Sequence, residues 1–106
     1  MKTIWDPKAR LGMRQIAKYI DRRFGSKARM SFVEEVQKTD KLLQNSPQIG
    51  KVDPLFADRK RTYHSVIING LSKMVYFIDG EVVYIAAFWD TRKEPTQQAQ
   101  QTKDNL

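Results

Sequence analysis

The stretch from Thr62 to Asp90 reads TYHSVIINGLSKMVYFIDGEVVYIAAFWD, and its spacing decides the fold. Thr62 to Ile68, Lys73 to Ile78 and Val82 to Trp89 are rich in β-branched and aromatic residues, which suit a pleated, half-buried surface. Asn69-Gly70 and Asp79-Gly80 separate these runs. Both dipeptides accept the positive φ angles of tight hairpin turns. The spacing predicts a three-stranded antiparallel meander with strands near 60–68, 72–78 and 82–90.

Upstream of the meander the period is helical. Asp6-Pro7 reads as an N-cap followed by a first-turn proline. Ala9, Met13, Ile16, Ile20 and Phe24 then form one apolar stripe, and Gly25 is a natural stop in the left-handed C′ conformation. Ser26 can cap a second helix, on which Ala28, Phe32, Val36 and Leu43 keep helical spacing, with Val33 and Leu42 beside them. Asn45-Ser46-Pro47 ends it, because proline cannot continue a helix. Helices are therefore predicted over 7–24 and 27–45. So short a junction folds them into an antiparallel hairpin. Lys2 to Trp5 is a short first strand. Residues 47–58, with Pro47, Gly50 and Pro54 and no period, read as a loop. The expected architecture is a two-layer α+β domain in the order β-α-α-β-β-β, with the helix hairpin packed on an antiparallel sheet.

The chain has 106 residues, enough for one domain, expected over 1–95. Residues 96–106, with four glutamines and almost no apolar anchor, read as a polar tail. There is no cysteine, which excludes a disulfide framework and a thiolate metal site. No ligand spacing for a metal and no phosphate-binding glycine loop occurs, so neither a metal nor a cofactor is expected. No run approaches the roughly 20 apolar residues of a membrane span, and the first residues lack the apolar core of a signal peptide. A soluble protein of the cytoplasm is expected. The net charge of +7 is uneven: residues 1–46 carry 11 Lys/Arg against 5 Asp/Glu. Such a surface favours a polyanion or an acidic protein partner.

Several segments together resemble the RelE/ParE toxin superfamily. They are Trp5-Asp6-Pro7-Lys8-Ala9 where the first strand meets the helix, and Ile16-Ala17-Lys18-Tyr19-Ile20 with Phe24-Gly25 and Ala28 at the helix junction. Leu43, Pro47 and Gly50 mark the exit from the second helix, and Val83 to Arg92 the last strand. The resemblance covers 1–95. It implies that the first strand lies beside the last one. It implies a toxin of a type II toxin–antitoxin module, of the kind that stabilises plasmids or answers stress, neutralised by an acidic antitoxin. The target would be DNA gyrase in the ParE-like branch, or messenger RNA on the ribosome in the RelE-like branch.

RNA cleavage needs a base, an acid and cations around the phosphate. His64, the only histidine, with Arg61 and Arg92, would have to supply them. His64 lies in a strand, on the face of Val66 and Ile68, where a packed histidine is the alternative. RNA-cleaving members of the superfamily commonly carry catalytic histidine or tyrosine near the C-terminus. Beyond Trp89 this chain has neither, which favours the ParE-like, binding-only branch. Arg14, Arg22, Arg59, Lys60, Arg61 and Arg92 are the candidate contacts for the target or the antitoxin. A groove between the helix hairpin and the sheet edge is the expected antitoxin site. For Arg92 the alternative is an ion pair with Asp90 or Glu94. Trp5 and Trp89 are expected to pack rather than to stack on bases.

Overall fold

The computed structural model describes residues 1–92. The elements are β1 (Lys2–Trp5), α1 (Pro7–Phe24), α2 (Ser26–Asn45), β2 (Lys51–Val52), a 3-10 turn (Pro54–Phe56), β3 (His64–Ile68), β4 (Ser72–Asp79) and β5 (Val82–Asp90). The helix hairpin and the meander therefore stand as the sequence predicts. The polar tail expected over 96–106 lies outside the described residues, and so do residues 93–95.

The sheet order is β1-β5-β4-β3-β2. β1 lies beside β5, as the resemblance implies, but the pair is parallel, with Lys2 opposite Val82 and Trp5 opposite Ile85. The sheet is thus mixed rather than antiparallel. No tight turn links these two strands. Everything between them acts as a long crossover, which is what a parallel pair requires. The other pairs are antiparallel. At the β3–β4 turn Asn69 and Gly70 take φ of 56° and 68°, and at the β4–β5 turn Gly80 takes 61°.

Three local expectations need correction. The two helices are joined by Gly25 alone, at φ 98° and ψ 172°, an extended positive-φ conformation and not the left-handed one. Its N–H closes α1 on the Asp21 carbonyl and its own carbonyl opens α2, so Ser26 is already helical and caps nothing. Phe24 ends the apolar stripe of α1 but is 65% exposed. Finally, the 47–58 segment is not bare loop. It adds the edge strand β2 and a turn capped by the Asp53 carboxylate, which accepts the Leu55 N–H at 3.0 Å.

That segment covers the face of the sheet the helices leave open. The main core lies between helices and sheet: Phe32, Val36, Leu43, Met74, Tyr76, Val83, Ile85 and Phe88, with Trp5 packed against it. A smaller core lies on the other face, where Phe56 and Tyr63 close over Val75, Phe77, Ala86, Ala87 and Trp89. β4 is therefore buried on both faces, which explains its unbroken apolar run. Opposite Val75 and Tyr76 the register jumps from Ala87 to Ile85, so Ala86 is a bulge. The bulge returns Phe88 to the helix side and sends Trp89 to the far side. Both tryptophans pack, but apart: Trp5 stacks on Phe88 and donates its indole N–H to Asp40 at 2.8 Å, while Trp89 keeps a buried indole N–H with no acceptor among the described residues.

A candidate partner-binding groove between α1 and β5

Asp6 fixes the start of α1. Its carboxylate accepts the Lys8 N–H at 2.8 Å and the Tyr84 hydroxyl at 3.0 Å, and its own N–H donates to the Ile85 carbonyl at 2.8 Å. One buried residue thus joins the end of β1, the first turn of α1 and the middle of β5. Burial, and then the Asp6 carboxylate, raise the Tyr84 pKa, so the phenol stays a donor. About one turn past Lys8, α1 meets β5 at Gly12. A Cβ there would overlap the Phe88 carbonyl, so only glycine lets the backbones approach this closely.

β1 stops at Ile85 of its partner strand, whereas β5 runs on to Asp90. Among the described residues no strand pairs with 86–90 on that side. Between α1 and this stretch of β5 lies an open groove of about 670 Å³. Its walls are Leu11, Gln15, Ile16, Tyr19 and Phe24 of α1, Leu71 of the β3–β4 turn, and 86–90 of β5. Leu11 is 55% exposed, Tyr19 46%, Phe24 65% and Leu71 52%. Four large apolar side chains converging on one open groove mark an interaction surface rather than ordinary scatter.

Lys8 and Arg92 also line the groove. The Arg92 guanidinium grips Asp90, Nε donating to Oδ1 at 3.0 Å and to Oδ2 at 3.2 Å and Nη2 to Oδ2 at 2.6 Å, and lies 5.8 Å from the Tyr19 ring centre. The hydrogen bonds to Asp90, and then its charge, raise the Arg92 pKa further, so it is a cation at every accessible pH. Arg92 remains 58% exposed and can meet a partner's acid.

The other candidate residues lie elsewhere. Arg14 and Arg22 are exposed on α1 and do not line the groove. Arg59, Lys60 and Arg61 precede β3 instead of starting it, since the strand begins at His64. Arg59 lies over the Phe56 ring at 5.6 Å and beside Asp58 at 3.5 Å, and Arg61 lies over Phe77 at 4.3 Å. Both therefore sit on the helix-free face.

His64 is on the opposite face. It is 9% exposed, stacks on Tyr76 with ring centres 5.3 Å apart, and its Nδ1 lies 3.0 Å from the Gly50 carbonyl. A carbonyl only accepts, so Nδ1 carries the hydrogen. His64, Arg61 and Arg92 thus occupy three separate places. Among the described residues no group of three or more His, Asp or Glu is placed to hold a metal. No helix among them is long and apolar enough to cross a membrane.

The sequence did not single out Lys8, Leu11, Tyr19 or Leu71. A faint signal existed: Leu11, Gln15 and Tyr19 form an i, i+4 row beside the core stripe, with apolar residues at its two ends.

The chain is similar in structure to a solved chain of the chromosomal ParDE TA system from P. aeruginosa, with a TM-score of 0.69 over 85% of this chain and 95% of that one, at 15% identity. The two helices on a five-stranded mixed sheet are a ParE-like fold. No family model matches the chain, and no curated protein matches it.

Proposed function

We propose that this protein is the toxin of a type II toxin–antitoxin module, working in the cytoplasm and neutralised by an acidic antitoxin that docks in the α1–β5 groove. The observation that carries this is the groove itself, on a ParE-like fold: exposed Leu11, Tyr19, Phe24 and Leu71, rimmed by Lys8 and Arg92. An amphipathic segment with acids flanking an apolar face has the complementary chemistry. Stabilisation of a plasmid, or a stress response, is the role such a module would serve.

The toxic action we propose is capture of DNA gyrase by binding alone. The single histidine is tied to Gly50 and Tyr76, on the opposite face of the sheet from Arg59 and Arg61. Proton-transfer catalysis needs a positioned acid and base together. The second reading, a ribosome-dependent messenger RNA endoribonuclease, draws on Arg59 and Arg61 on the helix-free face, with the exposed Lys60 between them in sequence, and a non-toxic antitoxin-binding relative is the third. Purified protein is mixed with gyrase and supercoiled DNA, and separately with translating ribosomes. Trapped gyrase–DNA complexes with intact message support the proposal, and cleaved message supports the second reading. Silence in both, with antitoxin binding kept, supports the third.

A further inference from the structure

α1 has a second solvent face. Arg10, Arg14, Lys18 and Arg22 follow one another at intervals of four, so they form a single ridge along the helix. All four are exposed, and none has an ion pair or side-chain hydrogen bond among the described residues. The helix carries six cations, these four with Lys8 and Arg23, against the single acid Asp21, and Asp21 is engaged by Arg29 of α2 at 3.3 Å. Arg22, in the last turn, is favoured by the helix dipole, but among the described residues no acid pairs with Arg10, Arg14 or Lys18. Like charges at i, i+4 repel, and Arg10 sits near the positive end of the helix dipole, where a cation is unfavourable.

We infer that this ridge docks on the phosphate backbone of a nucleic acid duplex. Three steps of four residues at about 1.5 Å rise each give a ridge about 18 Å long. That is the axial length of about five phosphates on one duplex strand. A protein-binding ridge would be expected to carry an apolar or aromatic anchor among its charges. This row has none, and its apolar neighbours Leu11 and Tyr19 belong to the groove. Single strands call for aromatic stacking platforms. The exposed aromatics of α1, Tyr19 and Phe24, line the groove and are not members of the row. A rigid row in which every member is a cation suits contact with successive phosphates of the backbone.

The test is fluorescence anisotropy of a labelled mixed-sequence DNA duplex with the intact chain. Binding at low salt should weaken with a log–log salt slope of about −3 to −4, one phosphate per ridge cation. The variant Arg10→Gln/Arg14→Gln/Lys18→Gln/Arg22→Gln should bind at least about tenfold more weakly with a shallower slope. Glutamine is a good helix former, so circular dichroism and melting should stay native or improve. A control variant, Lys2→Gln/Lys38→Gln/Lys41→Gln/Lys51→Gln, removes the same charge elsewhere and should retain most of the affinity. Equal loss in both variants would reduce the effect to net charge and overturn the inference, as would no duplex binding at low salt. Displacement by polyglutamate as effective as by unlabelled duplex would assign the ridge to an acidic protein instead. Tighter binding to single-stranded RNA of equal phosphate number would overturn the duplex assignment. None of these outcomes depends on the antitoxin or on toxicity.

Discussion

Gly50 donates its backbone N–H to the Tyr76 hydroxyl at 2.9 Å, and a Cβ on Gly50 would collide with that same hydroxyl. Tyr76 in turn donates to the Pro47 carbonyl at 2.8 Å. The proline and glycine that leave α2 are thus spaced to embrace one buried tyrosine. Gly50→Ala should destabilise by about 1–3 kcal/mol through overpacking. Tyr76→Phe leaves the Gly50 N–H and the Pro47 carbonyl without partners and should cost about 1–3 kcal/mol. Urea unfolding midpoints at neutral pH check both, and unchanged midpoints would show that the segment repacks freely.

A second pin lies on the other face. Lys73 Nζ stands 2.6 Å from Asp53 Oδ2, with side chains 15% and 5% exposed. The contact lacks hydrogen-bond geometry, so charge attraction carries it. Lys73→Ala strands a buried carboxylate and should cost about 2–4 kcal/mol, somewhat less than a fully buried pair because Lys73 keeps some solvent. The loop over 53–63 should then open first. Proteolysis near Arg59–Arg61 reads this out, and a loop as resistant as in wild type would contradict it.

Alkaline pH should destabilise the fold through two tyrosines. Burial raises the Tyr76 pKa above its ordinary 10.0, and the Gly50 hydrogen bond offsets part of this. Burial and then Asp6 raise that of Tyr84 from the same 10.0. Both are raised in the folded state, so each contributes stability in full below the unfolded value. That contribution is lost as pH climbs from 10 through the higher folded values. Unfolding free energy should hold to about pH 9 and fall above it. Tyr84→Phe should fall less steeply, and a fall as steep as wild type would exclude Tyr84 as a source.

His64→Ala removes the stack on Tyr76 and the bond to Gly50 and should cost about 1–3 kcal/mol. On the binding-only account it leaves toxicity nearly intact at temperatures where the protein stays folded. A ribonuclease relying on His64 as proton-transfer group would lose about 10²–10⁴-fold in cleavage rate. Growth arrest by His64→Ala matched to wild type for folded protein separates the two.

The elements were legible because their signals are local. Asp6-Pro7, Gly25, Asn69-Gly70 and Asp79-Gly80 punctuate the chain, and periodicity fills the intervals. The candidate site was much less legible. Strict alternation along β5 would put Trp89 on the face of Val83 and Ile85. The bulge at Ala86 reverses that, and no residue type announces it. The groove lies where β5 outruns β1 beside α1 and the β3–β4 turn, a relation among distant segments. The basic residues were visible as types, but their separation onto α1, the groove rim and the helix-free face required the tertiary fold.

Amide hydrogen exchange of the protein alone and with the acidic antitoxin of the proposed module tests the central claim most directly. The account predicts a tight complex with protection concentrated in 8–20, 69–72 and 86–92, and little change at 59–61. An Arg92→Glu variant should lose most of that protection. No complex, or protection confined to the helix-free face around Arg59–Arg61, would contradict it.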